Sequence, residues 1–257
     1  MELIESILTW HLLGYGTGIF LMFLQSQLYF LSCSFYWHNS ASHKYYTIVP
    51  WLQHVLRFWQ WINSTIWYQG HLTKFTAEHR IHHMYTDTDR DPVSPHRFTL
   101  LQLCSYEQKT GAARYVSPEE IEKYGDPTVE PNDPATLFYK RHQFRGIWIS
   151  VFIWTIILGP LGFILGRLMP YFNQYYGTFI GDYVWHKIGY KHPAVKGEAR
   201  NILPISILEG LHSNHHAHPN RINKAEQWFE IDFSYYVCVA LSWMRIIKFT
   251  NISHTRD

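Results

Sequence analysis

Apolar and polar positions divide this chain into long hydrophobic runs separated by polar stretches. From position 7 to 37 the chain reads ILTWHLLGYGTGIFLMFLQSQLYFLSCSFYW, with no Lys, Arg, Asp or Glu. A bilayer core asks for about 20 apolar residues of helix. Residues 7–36 therefore predict one tilted span, with room for one and not two. It reads as a span rather than a signal peptide, because no basic residue precedes it and no small-residue cleavage site ends it. Residues 147–166 predict a second span, which Gly159-Pro160 should kink or end early. Residues 169–188 predict a third, less apolar span that carries Asn173, Gln174 and Asp182. Polar groups at such depth are costly and usually face a protein interior.

Two further runs are apolar but interrupted. TIVPWLQHVLRFWQWINSTIWY, residues 47–68, sets tryptophans beside Arg57, and WFEIDFSYYVCVALSWMRIIKF, residues 228–249, is similar. Both predict amphipathic helices in the membrane interface with the aromatic side toward lipid; the alternative is buried core helices. Residues 87–145 are polar and read as a soluble insertion. Within it SPEE, starting at Ser117, is a helix-start signal with Pro at the first helical position and Glu120 at the third. No repeat of 20–50 residues is visible.

The fold expected is all-α: one integral membrane domain over residues 1–257, with about three helical spans, interfacial amphipathic helices and a helical cap. Basic residues crowd the segment between the first two predicted spans and return from Lys187 onward. The positive-inside rule then puts residues of about 38–145 and 189–257 in the cytosol. The formal net charge of +2 suggests no nucleic-acid partner. Cys33, Cys104 and Cys238 are far apart and form no Cys-x-x-Cys, so they read as packed thiols rather than a disulfide or iron–sulfur framework.

Histidine changes the picture, with 17 in 257 residues. EHRIHH, ending at His83, and LHSNHH, ending at His216, repeat one spacing. On a helix, residues three and four apart share a face. His79, His82 and His83 therefore point one way, as do His212, His215 and His216, and Asp182 shares a face with His186. His38 and His43 are five apart, which an ideal helix separates by about 140°. They converge only if the helix ends or distorts between them, or if they straddle two metals. Nine histidines and a carboxylate exceed the needs of one zinc ion. They suit two transition metals with four or five ligands each, and imidazole serves iron as well as zinc or copper. His11, His54, His71, His96, His142, His192, His218 and His254 read as packing residues.

These motifs resemble the membrane fatty-acid desaturases, within the larger set of histidine-box desaturases and hydroxylases. HNSASH, HRIHH and HSNHH resemble the three boxes. EHRIHHMYTDTDRDPVSPHR, EGLHSNHHAHP with WFEID, and WHKIGY resemble their neighbourhoods and the segment carrying an extra histidine. The resemblance runs from about Ser34 to Phe249 and looks closest to bacterial enzymes acting on acyl-CoA or acyl-lipid. It implies two iron ions per chain held by His38, His43, His79, His82, His83, His186, His212, His215 and His216. O2 would be co-substrate, and a cis double bond would enter a long acyl chain near a delta-9 position. It also implies a bacterial cytoplasmic membrane with the active site on the cytosolic side.

Three features depart from the family pattern. Asp182 stands where the family usually has Asn, and is expected here as a tenth metal ligand. Ser213 replaces the usual Asn of the third box. Many relatives also have a hairpin of two spans before the first box. Asp87, Asp89, Asp91, Glu209 and Asp232 are candidates to orient imidazoles, with a solvated loop as the plainer reading of the three aspartates. Trp185 is a candidate for an acyl channel or for wall packing. No haem-attachment motif or dinucleotide fingerprint is present. No bound organic cofactor is therefore expected, and two electrons would come from a ferredoxin, or from a b-type cytochrome with its reductase. The alternatives are a lipid hydroxylase on the same scaffold, a membrane zinc hydrolase (which would lack His-Glu-x-x-His) and a non-catalytic metal-binding protein.

Overall fold

The computed structural model describes residues 11–63, 72–104, 116–130, 132–142, 144–206 and 208–250. Residues 7–10 of the first expected span, and His71 and His254 among the packing histidines, lie outside these. The described chain is mostly helical. Two helical stretches are long and apolar enough to cross a membrane, Tyr15–Ser42 and Gly146–Lys187, the second made of two helices that meet at Gly159. The chain divides into two compact units: Met1–Cys33, His54–His71 and Pro131–Tyr175 form one, and Ser34–Gln53, Leu72–Glu130 and Tyr176–Asp257 the other.

In the first unit the apolar run after Gly146 does not continue straight. Gly159 takes φ 60° and ψ −143°, a conformation open to glycine, and Pro160 follows with no N–H to donate. Beyond this point the chain packs back on itself. A Cβ at Gly166 would sit 3.1 Å from Cα of Val151, and the Phe163 and Trp148 rings are 6.4 Å apart. The reversal therefore comes at Gly159-Pro160, where the sequence predicts a kink or an early end. Arg167 lies within the second arm, its guanidinium 5.4 Å from the Tyr171 ring and 6.0 Å from that of Trp148. A long cationic side chain covers aromatic surface in this way, so its charge marks no loop.

The interior of this unit combines an apolar cluster of Met22, Trp154, Leu158 and Met169 with buried polar bonds. Ser26 donates to Oδ1 of Asn173 at 2.7 Å, and Asn173 donates to the Asn63 carbonyl at 3.1 Å. Trp154 donates to Gln25 at 2.7 Å, and Gln25 donates to Asn63 and to Ser150. Asn173 thus faces protein, as its depth requires. Phe20, Phe23, Leu28, Phe152, Phe163 and Ile164 are exposed. Satisfied polar groups inside and apolar side chains outside are what a hydrocarbon solvent favours.

Helix Pro50–Asn63 exposes Trp51, Val55 and Phe58, a stripe at helical spacing, so the buried-core alternative for this run does not hold. The run from 228 to 249 is less helical than expected. Its helix covers only Phe233–Trp243, starting where Asp232 accepts from the Tyr235 N–H at 3.2 Å. The chain turns at Arg245 (φ 59°), and Ile247–Phe249 then pairs antiparallel with Tyr46–Ile48. Phe233, Tyr236, Val237 and Trp243 are exposed along the helix.

In the second unit, helix Leu72–Tyr85 carries the HRIHH motif. Ala77 and Ile81 on it pack with Val116, joined by Ile121 and Tyr124 of helix Pro118–Tyr124. The latter begins as its sequence predicts: Ser117 accepts from the Glu120 N–H and Glu120 accepts from the Ser117 N–H, both at 3.2 Å. Lys44 and Asp126 form an ion pair at 2.5 Å. The HSNHH motif lies on the short helix His212–Ala217. Around it Asn201 bridges to Tyr190 and to Leu211, and Ile205–Ser206 pairs in parallel with Ile231–Asp232.

Candidate metal centre

His38 belongs to a segment, Cys33–Ser42, that winds as a π-helix. A π turn closes its hydrogen bond five residues on, and the His43 N–H indeed donates to the His38 carbonyl at 3.1 Å. The two residues that an α-helix would splay apart therefore meet, with ring centroids 4.7 Å apart. On Leu72–Tyr85 the three histidines share a face as their spacing dictates, and so do the three on His212–Ala217. A second π segment, Phe179–Val184, leads into His186.

All nine box histidines gather within the second unit, in two groups. His38, His43, His79, His83 and His215 make one, and His82, His186, His212 and His216 the other. Within each group one nitrogen per ring lies within 4.8 Å of all the others. Facing Nε2 atoms are closer still: 2.7 Å between His43 and His79, 3.0 Å between His79 and His83, and 3.1 Å between His83 and His215. In the second group His212 lies 3.2 Å from His186 and 3.1 Å from His216. The second box is thus split, His79 and His83 serving one group and His82 the other.

The outward-facing nitrogens explain why the inward ones are bare. Nδ1 of His82 donates to Asp91 at 3.0 Å, and that of His186 to Asp87 at 3.1 Å. Nδ1 of His38 lies 2.9 Å from Oδ1 of Asn39 and 3.2 Å from Glu209. His215 points Nδ1 at the Tyr45 hydroxyl at 3.2 Å, which itself donates to the Pro219 carbonyl. His216 does the same with Thr86 at 3.1 Å, whose hydroxyl donates to the His82 carbonyl. With the proton held at Nδ1, Nε2 keeps a lone pair.

Burial first, and repulsion between neighbouring imidazoles second, hold His43, His79, His83, His212, His215 and His216 well below the ordinary histidine range. His82 is the exception. Burial pulls it down, but the Asp91 carboxylate outweighs that, and the net direction is up.

Neutral nitrogens whose lone pairs converge at about 3 Å call for a cation between them. Nitrogens 2.0–2.1 Å from one ion lie about 2.9 Å apart at right angles and about 3.4 Å apart in a tetrahedron. Facing pairs at 2.7–3.2 Å, in sets that extend to 4.8 Å, are close enough to share one ion in either arrangement. The residues present therefore fit two transition-metal ions.

The other expected residues are placed as follows. Asp87 and Asp91 turn inward to histidines, whereas the Asp89 side chain is fully in solvent beside Arg97. Glu209 touches His38. Asp232 touches no histidine; it accepts from the backbone N–H groups of Lys224 and Tyr235. Asp182 is outside both groups, although its charge helps to raise His82. Trp185 packs against the His212 ring at 5.2 Å.

Three residues near the groups carry no sequence signal strong enough to single out: Tyr45, Thr86 and Lys224. His192 and His218, expected as packing residues, approach Glu226 at 2.8 and 3.6 Å. The Ala194 N–H donates to Nδ1 of His192, and Arg221 lies 3.4 Å from Glu226. This third cluster therefore reads as an ion-paired network.

Two buried sets of imidazoles, with carboxylates and hydroxyls holding their outer nitrogens, define a histidine-box protein. No family model matches the chain. It is 28% identical over 236 residues to the Delta-9 desaturase-like 4 protein of Arabidopsis thaliana, covering 89% of this chain and 72% of that one. It is 26% identical over 216 residues to the sn-1 stearoyl-lipid 9-desaturase of Anabaena variabilis, covering 81% and 71%. A protein of the same name from Synechocystis sp. is 25% identical over 222 residues, covering 82% and 64%. Over most of its length the chain is thus similar to fatty acid desaturases, which supports an oxidoreductase.

Proposed function

We propose that this chain is an O2-dependent desaturase that introduces a cis double bond, at a delta-9-like position, into a long acyl chain of a lipid or acyl-CoA. The observation that carries the reading is the five-plus-four grouping of convergent imidazole nitrogens. In this reading His38, His43, His79, His83 and His215 hold one iron ion and His82, His186, His212 and His216 the other. The two ions supply the oxidising chemistry, using O2 and two electrons from a separate ferredoxin or b-type cytochrome. Asp87, Asp91 and Glu209 keep the outer protons of His186, His82 and His38 in place and so fix which nitrogen faces inward. Thr86 and Tyr45 do the same for His216 and His215 without adding charge. His186 and His215 are almost fully buried, which keeps bulk water from those donor nitrogens. Asp182 is proposed as a neighbour of the four-histidine group rather than a ligand.

The apolar exteriors of Tyr15–Ser42 and Gly146–Lys187 support an integral membrane protein. The distribution of Lys and Arg supports a cytosolic side for its histidine groups, and the resemblance to bacterial enzymes supports a bacterial cytoplasmic membrane. The test is expression in a host lacking its own desaturase, followed by fatty-acid profiling. New monounsaturated acyl chains are expected, and they should disappear in His83→Ala. Hydroxylated chains would replace desaturation by hydroxylation on the same scaffold. No lipid product, with zinc as the bound metal, would end the oxidative reading.

A further inference from the structure

Lys224 is 3% exposed, a rare place for a lysine. Its ammonium lies 2.5 Å from Oε2 of Glu209. The other oxygen of the same carboxylate lies 3.2 Å from Nδ1 of His38 and accepts from the Ser34 hydroxyl at 2.7 Å. Lysine, carboxylate and imidazole thus form one buried chain that ends in the five-histidine group.

The four-histidine group is built differently. Asp91 accepts from His82 and from the N–H groups of Asp87 and Val93. Asp87 accepts from His186, the Ser94 hydroxyl and the Glu198 N–H. Among the described residues neither aspartate pairs with a lysine or arginine. Hydrogen bonds stabilise a carboxylate without cancelling its charge; an ammonium in contact largely cancels it.

We infer that Lys224 makes the two histidine groups electrically unequal, offsetting the one carboxylate that touches the five-histidine group. Those touching the four-histidine group keep their full charge. A carboxylate on the outer nitrogen of a ligating imidazole strengthens that imidazole as a donor. An ammonium on the far side of the carboxylate withdraws part of that effect. Lys224 is thus a positioning residue acting through Glu209, and it weakens the hold of one group on a divalent ion relative to the other. The inference rests on the two-ion reading above.

The test uses the whole protein loaded with ferrous iron and challenged with a chromogenic chelator, the two ions being followed as two release phases. Lys224→Met should slow one phase by about tenfold, the lower end of the effect of outer partners on metal affinity. Glu209→Gln should speed the same phase by a similar factor. The double variant Glu209→Gln with Lys224→Met removes both members of the buried pair, leaves Asp232 in place, and should restore the wild-type rate. Asp91→Asn should speed only the other phase, which assigns the two.

A merely structural lysine predicts something else: both single variants speed release, and the double is no better than either. That result, or equal changes in both phases, overturns the inference. If Lys224→Met does not fold, the comparison of Glu209→Gln with the double variant decides alone, and equal rates overturn it. A wild-type protein that holds a single ion, or zinc only, fails the two-ion reading itself and is seen before any variant is made.

Discussion

Asp87 and Asp91 stand four residues apart in one turn, yet they hold histidines from different elements, His186 and His82. Asp87 does so from a left-handed conformation (φ 60°), which aspartate tolerates better than most residues. Its N–H donates to Asp91 at 2.7 Å, so the two carboxylates are set by one small loop. Asp91→Asn should lower the affinity of the four-histidine group for its ion by about 10- to 100-fold, as is usual for outer partners of ligating histidines. Retained metal after dialysis against chelator measures it, and the count should fall by one ion, not two. Asp182→Asn, in contrast, should keep both ions and the product, because its carboxylate is in neither group. Loss of one ion in that variant would make Asp182 a ligand. The histidines and Asp87, Asp91 and Glu209 were all legible in the sequence as candidates. What it did not show is which carboxylate meets which ring, because those contacts join residues as far apart in the chain as His38 and Glu209.

At the scale of elements, the π winding of Cys33–Ser42 decides what helical periodicity left open for His38 and His43. Periodicity assumes about 100° per residue, and a π turn breaks that assumption at the site where it matters. The helical arms of the first unit pose a different question, how polar side chains are tolerated among apolar ones. Asn173→Ala removes the bonds to Ser26 and Asn63 and should cost about 0.6–2 kcal/mol, the range measured for such bonds between membrane helices; thermal unfolding in detergent reads it.

In the second unit Asp126 accepts from Lys44 and from Thr128. Burial pushes its carboxyl up, but the ammonium and these bonds outweigh that, and the net direction is well down. A depressed carboxyl contributes stability that is present above the unfolded value, about 3.9, and is lost as pH falls toward the folded one. Wild type should therefore lose more stability than Asp126→Asn between pH 6 and pH 3, measured by unfolding at each pH.

At the scale of the whole chain, the two groups predict a count. Wild type should bind about two iron ions per chain. His43→Ala should lose the ion of the five-histidine group, and His212→Ala that of the four-histidine group. Metal analysis with the Lys224 release phases as a guide distinguishes the two losses. Loss of both ions in each variant would mean one shared site.

The sequence by itself determined the residue types of the centre and the resemblance to desaturases, because metal chemistry requires particular side chains and the boxes are local spacings on single helices. It also determined the apolar runs and the Ser117 cap, which depend on neighbours within a few positions. Only the tertiary structure decided that the chain packs back on itself after the predicted break at Gly159, the short helix after Asp232 and the split of the second box between two groups. It alone placed Tyr45, Thr86 and Lys224 beside the histidines. Those outcomes depend on which surfaces meet, and hydrophobic periodicity records that a face is buried without recording against what.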